Sequence, residues 1–195
     1  MNRLVKALSQ AYVGESQARN RYTFYSKIAK KEGYVQISQI FSETAEHEKT
    51  HAKNYFRMIQ KVMKKIGESS NMLEIDKVGV PTMYGTTTEN LEEAIAGEHH
   101  ENSEMYPEIA KIAEEEGYPK LSAQILAIAK AEEHHEDRYK RLLEQIEKES
   151  IFKKDGKVWW LCLECGYWHY AEEPPDVCPS CDHPKAYFKE MDEPY

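Results

Sequence analysis

Positive charge is scarce in this sequence: 26 Lys and Arg stand against 34 Asp and Glu, for a formal net charge of -8. That balance argues against a nucleic-acid binder, which carries a basic stripe or patch to track phosphates. Long apolar runs are missing too. The longest, such as Val158 to Leu163, fall far short of a bilayer crossing, so no membrane partner is expected. The opening Met1-Asn2-Arg3-Leu4-Val5-Lys6 reads as an amphipathic helix without the uninterrupted apolar stretch of a secretory leader, which leads to a cytoplasmic expectation. Cysteine is almost absent. Its four occurrences crowd between 162 and 181, and in a reducing compartment such a cluster points to a metal site over a disulfide framework. No Gly-x-Gly-x-x-Gly dinucleotide fingerprint is present, so reducing equivalents from NAD(P)H would have to arrive through a separate reductase.

What is abundant is Ala, Glu, Lys, Leu and Ile at spacings of three and four up to about residue 149, which is helical periodicity. Leu4, Leu8, Ala11, Ala18 and Tyr22 mark one face of a first helix. Gly33 punctuates it, and Ile37, Phe41, Thr44, Tyr55, Ile59 and Val62 mark a second that runs to about Gly67. The periodicity stops from Gly67 to Thr88, and a crossover running the full length of a bundle explains so long a loop economically. A third helix is expected from near Thr88, which with Glu89 to Glu92 offers a cap and an acidic first turn. A fourth follows Gly117-Tyr118-Pro119 with Leu121, Ile125, Ile128, Tyr139, Leu142 and Ile146. After Ser150, aromatics, prolines and the cysteines replace the Ala/Glu pattern. The expected architecture is an all-α four-helix bundle over residues 1–150 and a small metal-binding domain of short β-strands and knuckles over 151–195.

The helical part repeats. Lys27-Ile28-Ala29-Lys30-Lys31-Glu32-Gly33-Tyr34 returns as Lys111-Ile112-Ala113-Glu114-Glu115-Glu116-Gly117-Tyr118, an offset of 84 residues that also relates Glu48 to Glu132 and His51 to His135. Gly14-Glu15 returns as Gly97-Glu98 at an offset of 83. One extra residue has therefore entered between Glu98 and Tyr106, inside a helix, where a π-bulge absorbs it most easily. Pro107 adds a reason for a kink nearby.

The repeat sets a glutamate on each odd-numbered helix, Glu15 and Glu98, and a Glu-x-x-His on each even-numbered one, Glu48/His51 and Glu132/His135. Residues three apart share a helix face, so one turn presents a carboxylate and an imidazole to the same point. The arrangement matches the template of ferritin-like di-iron and di-manganese bundles. Any one of these residues alone would be an ordinary solvated side chain on a Glu-rich helix. Yet Glu15 lies between Ala11 and Ala18, Glu48 follows Thr44 by four and Glu132 follows Ile128 by four, so each interrupts an apolar stripe. Carboxylates buried together are prohibitive unless protonated or paired with cations, and a metal pair meets that need. Bridging carboxylates with one imidazole per metal also leave positions open for an oxygen substrate. His47, His99, His100 and His134 are offset from these positions and expected on flanks or in solvent. Tyr22 and Tyr106, equivalent under the repeat and about two turns beyond Glu15 and Glu98, suit either core aromatics or hydroxyls that orient carboxylates.

Cys162-x-x-Cys165 and Cys178-x-x-Cys181 form two knuckles suited to tetrahedral thiolate coordination. That spacing does not choose between a zinc ribbon and iron. Trp159, Trp160, Tyr167, Trp168, Tyr170, Tyr187 and Phe188 offer enough aromatic surface to pack a very small core and shield a redox iron from water. Gly166 suits a turn that bends backbone amides toward a sulfur.

On Gly14-Glu15-Ser16-Gln17-Ala18, Glu48-Lys49-Thr50-His51, Gly97-Glu98-His99-His100-Glu101 with Glu104-Met105-Tyr106-Pro107, Ala131-Glu132-Glu133-His134-His135 and Cys178-Pro179-Ser180-Cys181, the chain resembles the rubrerythrin family, a ferritin-like di-iron bundle followed by a rubredoxin-like domain. The resemblance implies a peroxidase that reduces hydrogen peroxide to water, with electrons relayed through the rubredoxin-like iron, in defence against oxidative stress. It implies two iron ions held by Glu15, Glu48, His51, Glu98, Glu101, Glu132 and His135, and a third on Cys162, Cys165, Cys178 and Cys181. Catalytic roles would fall to Glu101, His51, Tyr22 and Tyr106. The electron donor would be a separate NAD(P)H-dependent reductase or a rubredoxin, and the assembly a head-to-tail homodimer. Glu101 is a ligand that the internal symmetry does not supply, since its counterpart is Ala18. Asp182 departs from the glycine common at that knuckle position, though Asp tolerates a left-handed backbone. A ferroxidase or iron-storage protein of the ferritin-like class is the alternative. The appended cysteine domain counts against it, because storage needs no wired electron input.

Overall fold

The computed structural model describes residues 2–76 and 78–191. Helix α1 (Arg3–Lys31) starts at Asn2, whose side chain accepts from the Val5 amide, and α2 (Val35–Ile66) folds back on it after the turn at Gly33. The second hairpin comprises α3 (Thr87–His100), a π-helical segment (Glu101–Met105) and α4 (Tyr106–Glu115), all packed against α5 (Pro119–Glu147). The π segment falls inside the interval where the repeat offset changes, so the extra residue is taken up in a widened turn and the helix continues beyond it. The cap of α3 differs from the expectation: it is Thr86, not Thr88. Thr86 accepts from the Glu89 amide while the Glu89 carboxylate accepts from the Thr86 amide, the reciprocal pair encoded by Thr-x-x-Glu.

The Thr87 amide donates to Glu32 Oε2 at 2.8 Å, which puts the start of α3 beside the end of α1. The 32 residues of α2 rise about 48 Å at 1.5 Å each, so α2 ends at the far end of the bundle. The segment between Gly67 and Thr86 therefore connects opposite ends of the bundle. Along the way Leu73 packs on the core and Met83 accepts from the Tyr25 hydroxyl.

The core lies in two apolar layers. Leu4, Leu8, Ala11, Tyr55, Ile59, Tyr106, Leu121 and Ile125 belong to one, and Ala18, Tyr22, Phe41, Ala45, Leu91, Ala94, Tyr139 and Leu142 to the other. Each of the four helical rods changes layer across its glutamate: Ala11 to Ala18 past Glu15, Ala45 to Tyr55 past Glu48, Ala94 to Tyr106 past Glu98, and Ile128 to Tyr139 past Glu132. Four carboxylates thus occupy a polar slice between two hydrophobic plugs. Each large plug side chain contributes about 1.5–3 kcal/mol on burial, which offsets the cost of the slice.

After α5, Ile151 is buried in the second layer and Phe152 stacks on Tyr34 with ring centres 6.4 Å apart. Strands β1 (Val158–Cys162), β2 (Trp168–Ala171) and β3 (Phe188–Glu190) form an antiparallel sheet in the order β2-β1-β3, seated against the Gly33 end of the first hairpin. Its small core is Trp160, Cys162, Cys178 and Phe188, flanked by Tyr167 and Tyr187. The expected aromatic packing is therefore only partly met. Side chains alternate along β1, so Trp159 faces away from Trp160 and joins Trp168 and Tyr170 in an exposed stack, ring centres 4.5 and 4.8 Å away.

Candidate metal centres

The four rods bring Glu15, Glu48, His51, Glu98, Glu132 and His135 together in the polar slice, where all are buried. They form two overlapping groups. Candidate ligand atoms of Glu15, Glu48, His51 and Glu132 lie within 4.8 Å of one another, as do those of Glu48, Glu98, Glu132 and His135. His51 Nδ1 is 3.1 Å from Glu48 Oε2 and 2.8 Å from Glu132 Oε1. His135 Nδ1 is 3.2 Å from Glu48 Oε1 and 2.8 Å from Glu132 Oε2. Glu48 and Glu132 therefore span the site, one oxygen to each half. Glu15 and Glu98 close the ends, 3.9 Å from His51 Nδ1 and 3.4 Å from His135 Nδ1.

Most of these approaches are not hydrogen bonds. Both oxygens of Glu132, Glu48 Oε1, Glu15 Oε2, Glu98 Oε2 and His135 Nδ1 are buried without a hydrogen-bond partner. Each such atom costs about 1–3 kcal/mol, more when charged, so acceptors converging in this way need protons or a cation among them. The electrostatics agree. Burial, reinforced by Glu132, Glu48 and Glu101, pushes the Glu15 carboxyl well above the usual range. Burial and the Glu48 charge raise Glu98 to about 8. At Glu48 burial is outweighed by the imidazoles of His135 and His51, and the carboxyl falls to about 2. The facing carboxylates overcome burial to lift His51 to about 9 and His135 to about 12. Without metal the slice is neutralised by protons, and a pair of divalent cations supplies the same compensation. Carboxylates with one imidazole per half make a donor set suited to iron, so these residues fit a di-iron site.

Tyr22 and Tyr106 serve both roles that the sequence left open. Their rings are buried in the apolar layers, and their hydroxyls donate across the hairpins, Tyr22 to Glu98 Oε1 and Tyr106 to Glu15 Oε1, each at 2.6 Å. Glu101 belongs to neither group. Half-buried at the start of the π segment, it lines a cavity of about 470 Å³ with Gln17, Arg21 and Gly97. Its Oε1 leans toward Gly14, where a side-chain carbon would come to 3.7 Å. That places it beside the Glu15 end of the site, the end served by His51.

Among the other histidines, His100 and His134 are exposed as expected. His99 is exposed too, and pairs with the buried Glu136 at 3.1 Å, which also accepts from Asn102 at 2.6 Å. His47 lies on the flank, as its offset requires, yet it is engaged: its ring meets that of His135 edge to edge, with Nδ1 3.1 Å from His135 Nε2. Sequence reasoning missed this contact. Its only signal was the place of His47 next to Glu48, at a seam whose other side the sequence does not name.

In the tail, Cys162 Sγ is 3.7 Å from Cys181 Sγ, and Cys165 Sγ is 3.7 Å from Cys178 Sγ. Disulfides need about 2.05 Å. A tetrahedron with metal–sulfur bonds of about 2.3 Å has edges of about 3.8 Å, so the four thiols fit one metal ion. Gly166 takes φ 76, and the turn it makes brings the Tyr167 amide to the Cys165 sulfur, lowering that thiol to about 6. Asp182 adopts φ 59, the left-handed backbone expected of it.

Two family models match this arrangement, Rubrerythrin over residues 6–143 and the rubredoxin-like domain of rubrerythrin over residues 160–189. A putative rubrerythrin of Methanocaldococcus jannaschii is 49% identical over 195 residues, covering 100% of this chain and 96% of its own length. Rubrerythrin-1 of Clostridium acetobutylicum is 47% identical over 188 residues, 96% of this chain and 94% of the relative. Among solved structures, nigerythrin in a mixed-valence state is similar at a TM-score of 0.64 and 28% identity, covering 98% of this chain and 88% of that one. The bundle site and the cysteine site thus have the composition of a di-iron centre and a rubredoxin-like iron centre, and the chain belongs to the rubrerythrin family.

Proposed function

We propose that this protein is a peroxidase that reduces hydrogen peroxide at the bundle site, one peroxide taking up two electrons and two protons to give two waters. The observation that carries this reading is the pair of converging half-sites, placed beside the Glu101 cavity and followed in the same chain by a thiolate site. A bound iron pair would supply the two electrons. Glu48 and Glu132 span both halves and hold them at a fixed separation. Tyr22 and Tyr106 fix the outer carboxylates, and burial keeps the proton on each phenol oxygen. The two apolar plugs exclude water from either side. His51 and Glu101 are alternative donors to one end of the site: the imidazole suits a ferrous ion, the anionic oxygen a ferric one.

Residues 1–150 act in this account as the peroxide-reacting unit and 151–195 as its electron supply. The tail sits near Val35, and the helix from there to Glu48 rises about 20 Å, a long path within one chain. A head-to-tail homodimer would place each tail beside its partner's bundle. The donor to the tail would be a separate NAD(P)H-dependent reductase or a rubredoxin, in the cytoplasm. The test is anaerobic peroxide consumption driven by such a donor: the intact protein should turn over, and Glu132→Ala should not. Turnover that survives in Glu132→Ala would remove the bundle from the reaction.

A further inference from the structure

We propose that His47 is a positioning residue that fixes the imidazole of His135, so that the two halves of the bundle site are unequally anchored. This rests on reading the bundle as a two-metal site. His135 aims Nδ1 inward, 2.8 Å from Glu132 Oε2, 3.2 Å from Glu48 Oε1 and 3.4 Å from Glu98 Oε2, with no hydrogen-bond partner. A ring nitrogen that binds a cation presents its lone pair, so the ring proton of His135 sits on Nε2. His47 Nδ1 lies 3.1 Å from that nitrogen, and the two rings meet edge to edge in nearly one plane, centres 5.2 Å apart with 12° between their planes. The consistent arrangement has His135 Nε2–H donating to His47 Nδ1, with the proton of His47 on its own Nε2. An acceptor at the outer nitrogen of a metal-binding histidine fixes its tautomer and ring orientation. Here a neutral imidazole takes that part and ties α5 to α2.

The internal repeat exposes the asymmetry. The residue equivalent to His47 is Ala131, whose side chain has no polar atom. Among the described residues, the hydrogen bond of the His51 ring runs from Nδ1 to Glu48, and its Nε2 has no such tether. His51 is also the more exposed of the two, at 9% against 2% for His135. Glu101, the extra carboxylate, lies at the same end as His51. The His51 half is therefore the one free to exchange donors, and His47 makes the other half static.

The test is anaerobic calorimetric titration of the metal-free protein with ferrous iron, comparing the unmutated chain with His47→Phe and His47→Asn. Phe keeps a flat ring at this position without the acceptor, whereas Asn gives up the ring and sets Oδ1 where Nδ1 stood. Circular dichroism reports folding, and oxidising a portion of each sample after the titration develops the visible band of the ferric tail iron, which reports tail loading separately. His47→Phe should weaken one of the two bundle ions by about 10- to 100-fold and leave the other unchanged, and His47→Asn should restore most of the loss. Should His47→Phe fail to fold, His47→Ala takes its place in the comparison. Unchanged binding in the variant lacking the acceptor, or equal losses with and without an acceptor, overturns the role of His47 and leaves the two-metal reading standing. An unmutated bundle that binds no ferrous pair overturns both.

Discussion

Deleting a single phenolic oxygen measures how firmly the carboxylates are held. Tyr106→Phe keeps the ring against Tyr55, 5.4 Å between centres, and removes the donor 2.6 Å from Glu15 Oε1. Glu15 Oε2 already lacks a partner, so the metal-free variant has a buried carboxyl with no hydrogen bond at all. Leaving such a group unsatisfied costs about 1–3 kcal/mol. A chain of this length loses about 2–4 °C of Tm per kcal/mol, so the metal-free variant should melt roughly 2–12 °C lower by circular dichroism. In the loaded protein the same donor orients Glu15, and its loss should weaken ferrous binding in the His51 half by about 10-fold or more. Tyr22→Phe should act likewise on Glu98 and the His135 half. Tyr55→Phe is the control, because its hydroxyl is buried without a hydrogen-bond partner of good geometry. Removing it should leave stability unchanged or raise it by about 1 kcal/mol. If Tyr106→Phe melts with the parent while Tyr55→Phe melts lower, the anchoring assigned to these hydroxyls is wrong.

Glu101→Ala should still bind a ferrous pair through His51, since Glu101 lies outside both ligand groups, yet slow peroxide turnover about tenfold or more; an unchanged stopped-flow rate would remove Glu101 from the reaction. Cys178→Ser should abolish the tail's visible absorption and donor-driven turnover while a chemically reduced bundle still reacts once with peroxide, and full donor-driven activity without tail iron would falsify the relay. Subunits lacking Glu132 mixed with subunits lacking the tail cysteines should recover part of the donor-driven activity in heterodimers. Verified heterodimers with no recovery would confine the relay to one chain.

Much of this was legible in the sequence because it repeats. The change of offset from 84 to 83 located the π segment to within a few residues, since a helix can absorb one extra residue in few other ways. Interrupted apolar stripes identified the polar slice, because a carboxylate at a core position needs a reason. Other features depended on what faces a side chain from another element. The contact of His47 with His135 requires the azimuth of α5 against α2, which no single-helix pattern contains. The tyrosine hydroxyls reach carboxylates on the opposite hairpin, so spacing along one helix could suggest them but not name their partners. The misplaced cap at Thr88 has a local cause: three consecutive threonines precede Glu89, and only Thr86 stands three before it. In the tail, counting aromatics overlooked alternation along β1, which turns Trp159 outward as surely as it turns Trp160 inward.

Anaerobic peroxide titration of the fully reduced protein, following the visible band of the tail iron, decides whether a one-electron site feeds a two-electron site in this protein. The account predicts one peroxide consumed per electron pair, with the ferric tail band appearing as the bundle is re-reduced, and faster oxidation by peroxide than by dioxygen. A tail that stays ferrous while peroxide is consumed, or iron that accumulates beyond the bundle and cysteine sites, would contradict it.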